Sequence, residues 1–232
     1  MAREKPVIFT APMVMAILAG RKTVTRRLLN PQPHRETTNV DWNTAEKAFV
    51  PWRLGTGTPS SGHRSGSPIR ATYQVGDELW VKEAFRLRAD QDEKPPSEDA
   101  WKNHAWYQAD DPNLEPSGCG GGAGKLRSPM FMPRWASRIT LRVTDVRVER
   151  VQSISPKDVR AEGLEPAPDG FQFKLPFLSD TPPIVYAAPS TAYAFGWDHI
   201  HGMGAWDRNE WVWVVRFERI GLAERSAVSM IP

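Results

Sequence analysis

Residues 20–27 read GRKTVTRR, a run that holds four cationic and two hydroxyl side chains. It follows a short apolar pattern that starts at Thr10, a residue type that caps helices. Gly20 favours the left-handed conformation in which helices end, and the β-branched residues 23–25 favour a strand. The run therefore predicts a cationic corner between a helix and a strand, suited to hold an anion or to polarise a carbonyl.

Two later motifs extend this pattern. Residues 76–83 read GDELWVKE, a tight turn that leads into a strand, and residues 211–217 read WVWVVRF, a closing strand. The order and character of the three motifs resemble the ASCH superfamily of the PUA-like fold. The chain is similar to a longer ASCH version found in phage and prophage genomes, sometimes labelled morphogenetic proteins. The resemblance covers about half the chain and implies an α+β fold, namely a small, mostly antiparallel β-barrel with a few flanking helices and long loop insertions.

The remaining periodic stretches predict further strands and helices. Residues 139–148 alternate between polar and apolar side chains, and a phase change at residues 144–145 predicts a bulge or a hairpin. A helix is expected over residues 155–163, which begin with a capping serine and end with a glycine. Another is expected over residues 191–200. Short strands with few helices between them are typical of a small mixed barrel.

One domain is expected over residues 1–220, with a C-terminal tail over residues 221–232. Segments rich in proline and glycine predict long insertions at about residues 30–70, 86–125 and 164–190. Partial disorder is expected around residues 55–67. The glycine-rich residues 118–124 lack the GK[ST] ending of a phosphate loop, which favours a flexible tip.

Composition limits the class of protein. The 232 residues are 40% hydrophobic and 25% charged, with a net charge of +3, which permits a nucleic-acid partner without requiring one. The single cysteine, Cys119, excludes an internal disulfide or a cysteine zinc cluster. No long apolar run is present, so we expect no membrane association and a cytoplasmic location, in a bacterial host if the protein is phage-encoded.

The resemblance also implies a catalytic site. One ASCH branch comprises small bacterial amidohydrolases that cleave the acyl group from N4-acetylcytidine, and its lysine, its second threonine and a helix-end glutamate are catalytic. By motif position these resemble Lys22, Thr25 and Glu162. Thr25 would attack the acyl carbon, Lys22 would take its proton, and Glu162 would serve the leaving amine. Residues three apart in a strand face opposite ways, so Lys22 and Thr25 converge only if the chain twists after Gly20.

Binding without turnover is the main alternative. Cations and tryptophan faces together hold single-stranded nucleic acid or a flipped base, and Glu83 is expected to pair with an arginine. The predicted ligand-binding or phosphate-binding residues are Arg21, Arg26, Arg27, Trp80, Lys82, Glu83, Arg134 and Trp135. The expected partner is a nucleoside or a single-stranded nucleic acid.

Two other hypotheses complete the sequence analysis. The phage resemblance suggests an assembly or host-interaction protein that uses the long insertions. The two histidines of residues 198–201 would not share a helix face, so no metal site is predicted, and the proposed chemistry requires no cofactor.

Overall fold

The computed structural model describes residues 3–53, 63–93, 95–96, 105–117, 122–167, 170–173, 184–186 and 188–221. Over these ranges the chain folds as an α+β protein with mostly antiparallel sheets and three α-helices, which confirms the α+β part of the predicted fold. None of the helices in these ranges has both the length and the apolar character needed to span a membrane.

Sixteen strands and α-helices follow one another along the described residues. They are β1 (Glu4–Ile8), α1 (Ala11–Leu18), β2 (Val24–Leu28), β3 (Asn39–Asn43), β4 (Ala48–Arg53), β5 (His63–Arg64), β6 (Glu78–Lys82), β7 (Phe85–Arg86), β8 (Trp106–Tyr107), β9 (Thr140–Arg150), α2 (Pro156–Ala161), β10 (Glu165–Ala167), β11 (Gly170–Phe173), β12 (Ile184–Tyr186), α3 (Pro189–His201) and β13 (Trp211–Ile220).

A five-stranded sheet in the order β1-β6-β9-β13-β2 organises the molecule. β1 and β6 are parallel, and the other neighbouring strands are antiparallel. The three sequence motifs supply β2, β6 and β13. The guanidinium of Arg27 at one edge donates to the Ile8 carbonyl at the other edge over 2.6 Å, so the two edge strands approach one another.

Side-chain alternation gives this sheet two different faces. One face, here called the core face, carries buried residues such as Val81, Val143 and Trp213 and packs against α1. The other face is called the helix face, because Val212 and Val214 pack there against α2 and α3. On the helix face, β11 and β12 lie against α3 and extend the layer that α2 and α3 form.

The predicted phase change in the long strand is a β-bulge. Phe217 pairs with Val143, whereas the neighbouring Arg216 pairs with Asp145, so Thr144 is the extra residue. The bulge lets one continuous strand place apolar side chains on the core face before and after the shift. The hairpin alternative is therefore wrong.

Residues 30–53 and 63–70 hold more secondary structure than the sequence predicted. β3, β4 and β5 form an antiparallel sheet, and Phe49 packs its ring edge-on against Trp213, with 5.2 Å between ring centroids. Val40 and Phe49 belong to the main core. The sequence did not predict these strands because Pro51 interrupts β4, and a proline within a run argues against a strand.

Two predicted helices are confirmed. In α2 the Ser155 hydroxyl accepts a hydrogen bond from the Asp158 amide over 3.1 Å, and Gly163 follows the helix with a φ of +101°. The second predicted helix corresponds to α3. The glycine-rich residues 118–121, including Cys119, and the tail over residues 222–232 lie outside the described residues. So do residues 54–62, which make up most of the segment in which partial disorder was expected.

Candidate functional site

The corner predicted from GRKTVTRR is held by backbone hydrogen bonds from three directions. The amides of Arg21 and Lys22 both donate to the Ala16 carbonyl of α1, over 2.9 and 3.0 Å. The Thr23 amide donates to Ala161 at the end of α2 over 2.8 Å, and the Thr23 carbonyl accepts from β13. The corner is therefore a fixed junction between α1, α2 and the central sheet.

Lys22 turns its side chain into this junction and is only 2% exposed. Its ammonium donates to Glu162 Oε2 over 2.5 Å, to the Glu162 carbonyl over 3.0 Å and to the Val24 carbonyl over 2.9 Å. These three bonds match the three donors of an ammonium group. The structure thus brings together two of the three predicted catalytic residues.

The surroundings of Lys22 favour loss of its proton relative to a free lysine. Burial is the largest influence and lowers its pKa below the ordinary value of 10.5. The charge and the hydrogen bond of Glu162 act in the opposite direction, while Arg27 and Arg26 add to the lowering. The net effect is a lowered pKa, which is the direction that a lysine base requires.

Glu162 is held by further groups on its second oxygen. It caps the C-terminal end of α2, and its Oε1 accepts from the Tyr193 hydroxyl over 3.3 Å and from the Arg26 guanidinium over 3.5 Å. Burial first, and then the nearby Glu162 charge, raise the pKa of Tyr193 well above 10, so its hydroxyl remains a donor. Tyr193 lies within the helix predicted over residues 191–200, and no motif marked it as a partner of Glu162.

Arg26 has a different role from the predicted phosphate ligand. Its side chain is fully buried and also contacts Glu149 and Asp158, each at 3.2 Å. The guanidinium therefore holds carboxylates together beneath the site and does not face solvent. The sequence analysis grouped Arg26 with the ligand-binding or phosphate-binding residues, whereas the structure places its guanidinium among buried carboxylates.

Asp158 is the centre of that buried ion network. Besides Arg26, it accepts from Arg147 over 2.7 Å and from Arg216 over 3.3 Å. Burial acts to raise the pKa of Asp158, but the hydrogen bond and charge of Arg26 and the charges of the other two arginines outweigh it, so the pKa falls below 3.8. The network fixes α2, and with it Glu162, against the helix face of the sheet.

Thr25 lies on the other face of the sheet from Arg26. It pairs with Val215, whose side chain belongs to the core face, and it is buried. The ammonium of Lys22 donates to other groups, not to the Thr25 hydroxyl. However, that ammonium also lies 5.6 Å from the ring centroid of Phe9, a core-face residue, so Lys22 stands at the edge where the two faces meet.

Arg21 and Arg27 flank Lys22 at the rim. Arg21 is exposed, donates to the Gly163 carbonyl over 3.2 Å and pairs with Glu165 at 2.9 Å. The guanidinium of Arg27 lies 5.1 Å from the ring centroid of Phe9. Both remain candidates to contact an anionic part of a ligand.

Trp80, Lys82 and Arg134 form a separate group on β6 and the segment before β9. The ammonium of Lys82 lies 5.4 Å, and the guanidinium carbon of Arg134 5.7 Å, from the centroid of the Trp80 ring. All three are partly exposed. The structure brings them together with one another, but no contact joins them to Lys22.

The last two predicted ligand residues have structural partners. The Glu83 carboxylate accepts two hydrogen bonds from Arg138, both 3.0 Å, and burial raises the pKa of Glu83. Trp135 donates its indole N–H to the Pro96 carbonyl over 3.2 Å and packs on the small core beneath β7. Glu83 therefore pairs with an arginine, but that arginine, Arg138, is not one of the residues that contact Lys22 or Glu162.

Within the described ranges, no group of three or more His, Cys, Asp or Glu side chains has the arrangement of a metal site. Comparison of the chain with models of protein families, with curated proteins and with solved structures finds no match.

Proposed function

We propose that the protein is an ASCH-type amidohydrolase with a PUA-like barrel, which removes an acyl group from a modified cytidine-type base. The observation that carries this proposal is the buried pair of Lys22 and Glu162, with 2.5 Å between ammonium and carboxylate. The contact of Arg27 with the Ile8 carbonyl, which links the two edge strands, supports the barrel.

A buried lysine-carboxylate pair is poorly explained as a device for stability alone. Removing both charges from water costs several kcal/mol per ion, and a hydrophobic pair of similar size is often as stable. The lowered pKa of Lys22 and the held carboxylate of Glu162 are what acid-base chemistry needs. Such a pair at the sequence motif shared with amidohydrolases supports a catalytic use.

The proposed reaction has two stages, transfer of the acyl group to Thr25 and hydrolysis of the resulting ester. In the first, the neutral amine of Lys22 takes the proton of the Thr25 hydroxyl, whose oxygen attacks the acyl carbon. The carbon–nitrogen bond breaks, the base nitrogen receives a proton through Glu162, and an acyl ester on Thr25 remains. In the second, water activated by the same groups hydrolyses the ester, which releases a carboxylate and restores Thr25. For Lys22 to serve Thr25, its ammonium must turn from Glu162 and the Val24 carbonyl toward the core face, which it borders at 5.6 Å from the Phe9 ring centroid.

Deacylation of N4-acetylcytidine by the purified protein is the direct test. Lys22→Met and Thr25→Val are each expected to lower the rate by about 10²–10⁴-fold, the usual contribution of a general base or its nucleophile. Lys157→Ala, which removes an exposed lysine of α2, serves as the matched control and should keep the wild-type rate. Equal turnover by Lys22→Met would exclude the mechanism, and no turnover of any N4-acylated cytidine by the wild type would exclude the activity.

A further inference from the structure

A cleft of about 220 Å³ opens beside the sheet of β3, β4 and β5, and it shares no lining residue with the Lys22 site. Its volume is below the range of sites for drug-sized ligands, so it suits an ion or a small molecule. Most of its side chains are cationic or donate hydrogen bonds. We call this site the Arg53 cleft; it is lined by His34, Glu36, Arg53, His63, Arg64 and Ser65.

Thr37 holds two sides of the Arg53 cleft together. This threonine is buried, its amide donates to the His34 carbonyl over 2.8 Å, and its hydroxyl shares a hydrogen bond with the Ser65 hydroxyl, also over 2.8 Å. Its carbonyl accepts from Arg150 of β9 over 3.1 Å, which ties the cleft to the central sheet. A cleft that is fixed in this way loses little conformational entropy when a ligand binds.

The charges of the Arg53 cleft favour an anion. Its two arginines outnumber its one carboxylate, that of Glu36, so the lining carries a net positive charge even with both histidines neutral. Arg53 pairs with His63 across β4 and β5, which places these two side chains next to each other. An anion between them would accept hydrogen bonds from both.

The ion pairs of the two arginines leave room for such a ligand. Arg53 pairs with Glu36, and these side chains are 52% and 47% exposed. Arg64 pairs with Glu46 over 3.1 Å, and these are 40% and 36% exposed. Exposed ion pairs contribute little to stability, and a guanidinium has five N–H donors, so a ligand with more charge than one carboxylate can compete for them.

We infer that the Arg53 cleft binds a phosphate group, carried by a small ester or present as the free ion. Five of its side chains can donate hydrogen bonds, and a phosphate offers three or four oxygens to accept them, whereas a carboxylate offers two. Arg53 and Arg64 would form charge-assisted bonds, which are roughly twice as strong as neutral ones. The inference is independent of the proposed function, because the lining of the cleft includes none of the residues assigned to the hydrolysis.

The test is isothermal titration calorimetry with inorganic phosphate and with glycerol 3-phosphate, and with acetate as the carboxylate probe. Arg53→Gln and Arg64→Gln should each weaken binding of both phosphate probes by roughly tenfold, since each removes hydrogen bonds to a charged group. Glu36→Gln should strengthen binding by about two- to fivefold, because it removes the carboxylate that competes for Arg53. These side chains are exposed enough that their replacement should leave the fold intact.

Arg35→Gln is the matched control, because Arg35 is exposed beside His34 and Glu36 but does not line the cleft. It removes the same charge and should bind as the wild type does. Tighter binding of glycerol 3-phosphate than of phosphate would assign an ester to the cleft, and equal binding would assign the free ion. The inference would be overturned if neither phosphate probe bound, if acetate bound as tightly, or if Arg35→Gln lost as much affinity as Arg53→Gln.

Discussion

At the scale of single residues, the site depends on how Lys22 and Glu162 share a buried space. Glu162 uses one oxygen for Lys22 and the other for Tyr193 and Arg26, so its position is fixed from both sides. The family resemblance, and not the GRKTVTRR motif alone, implied that Lys22 and Glu162 share a site, and the structure places their side chains in contact. It could not reveal Tyr193, because that residue comes from a helix of ordinary apolar pattern that only tertiary packing brings to the site.

The lowered pKa of Lys22 predicts a pH dependence of stability. An unfolded lysine keeps its proton up to about pH 10.5, whereas buried Lys22 releases it at lower pH. Between these two pH values the unfolded state binds more protons than the folded state. The contribution of Lys22 to the free energy of unfolding therefore rises with pH. Each unit by which the pKa of Lys22 is lowered adds about 1.4 kcal/mol to the rise in the free energy of unfolding.

Denaturant unfolding of the wild type and of Lys22→Met between pH 7 and pH 10 measures this effect. The stability of the wild type relative to the variant should increase with pH, since methionine has no proton to release. A difference that stays constant or decreases would show that the pKa of Lys22 is not lowered in the folded protein.

At the scale of elements, the end of α2 is fitted closely to the corner. A Cβ atom built on Gly163 would lie 2.9 Å from Ala16 Cβ and 3.1 Å from Lys22 Cβ, and the φ of +101° is itself unfavourable for other residues. From the sequence, this helix was predicted to end at Gly163. It gave no sign that the missing side chain makes room for Lys22, because that contact joins segments far apart in the chain.

Gly163→Ala is therefore expected to destabilise the protein by about 2–4 kcal/mol, which combines backbone strain with overlap against α1 and Lys22. Gly20→Ala is the matched control: its φ of +73° is also positive, but nothing lies within 4 Å of the added Cβ. Its cost should be only about 1–2 kcal/mol. Denaturant unfolding of the two variants measures these costs. Equal losses in the free energy of unfolding would contradict the close packing at Gly163.

At the scale of the whole molecule, β3 and β4 contribute buried residues to the main core and are not peripheral to it. Phe49 is buried between Trp213 of the central sheet and Trp42, with 5.2 and 5.1 Å between ring centroids. Of the motif-bearing strands, β6 and β13 were predictable from their apolar patterns and β2 from its β-branched residues. This hairpin was not, because Pro51 interrupts β4 and the two strands acquire their role only when they cover the sheet.

Phe49→Ala should accordingly lower the free energy of unfolding by about 3–5 kcal/mol, as for other buried phenylalanines. Trp42→Ala, on the outer side of the same ring, should have a smaller effect because that side chain is half exposed. The comparison uses chemical denaturation at neutral pH. A small loss for Phe49→Ala would mean that residues 39–53 are dispensable for the core.

The position of β13 in the sheet has a consequence for biosynthesis. It is the last of the described strands in chain order, yet it lies between β9 and β2. On a translating ribosome, β2 must wait for a neighbour that is made almost two hundred residues later. Until residue 220 has left the exit tunnel, the nascent chain exposes the apolar residues of β2 and β9, and the corner at residues 20–27 can take its final shape only after that point.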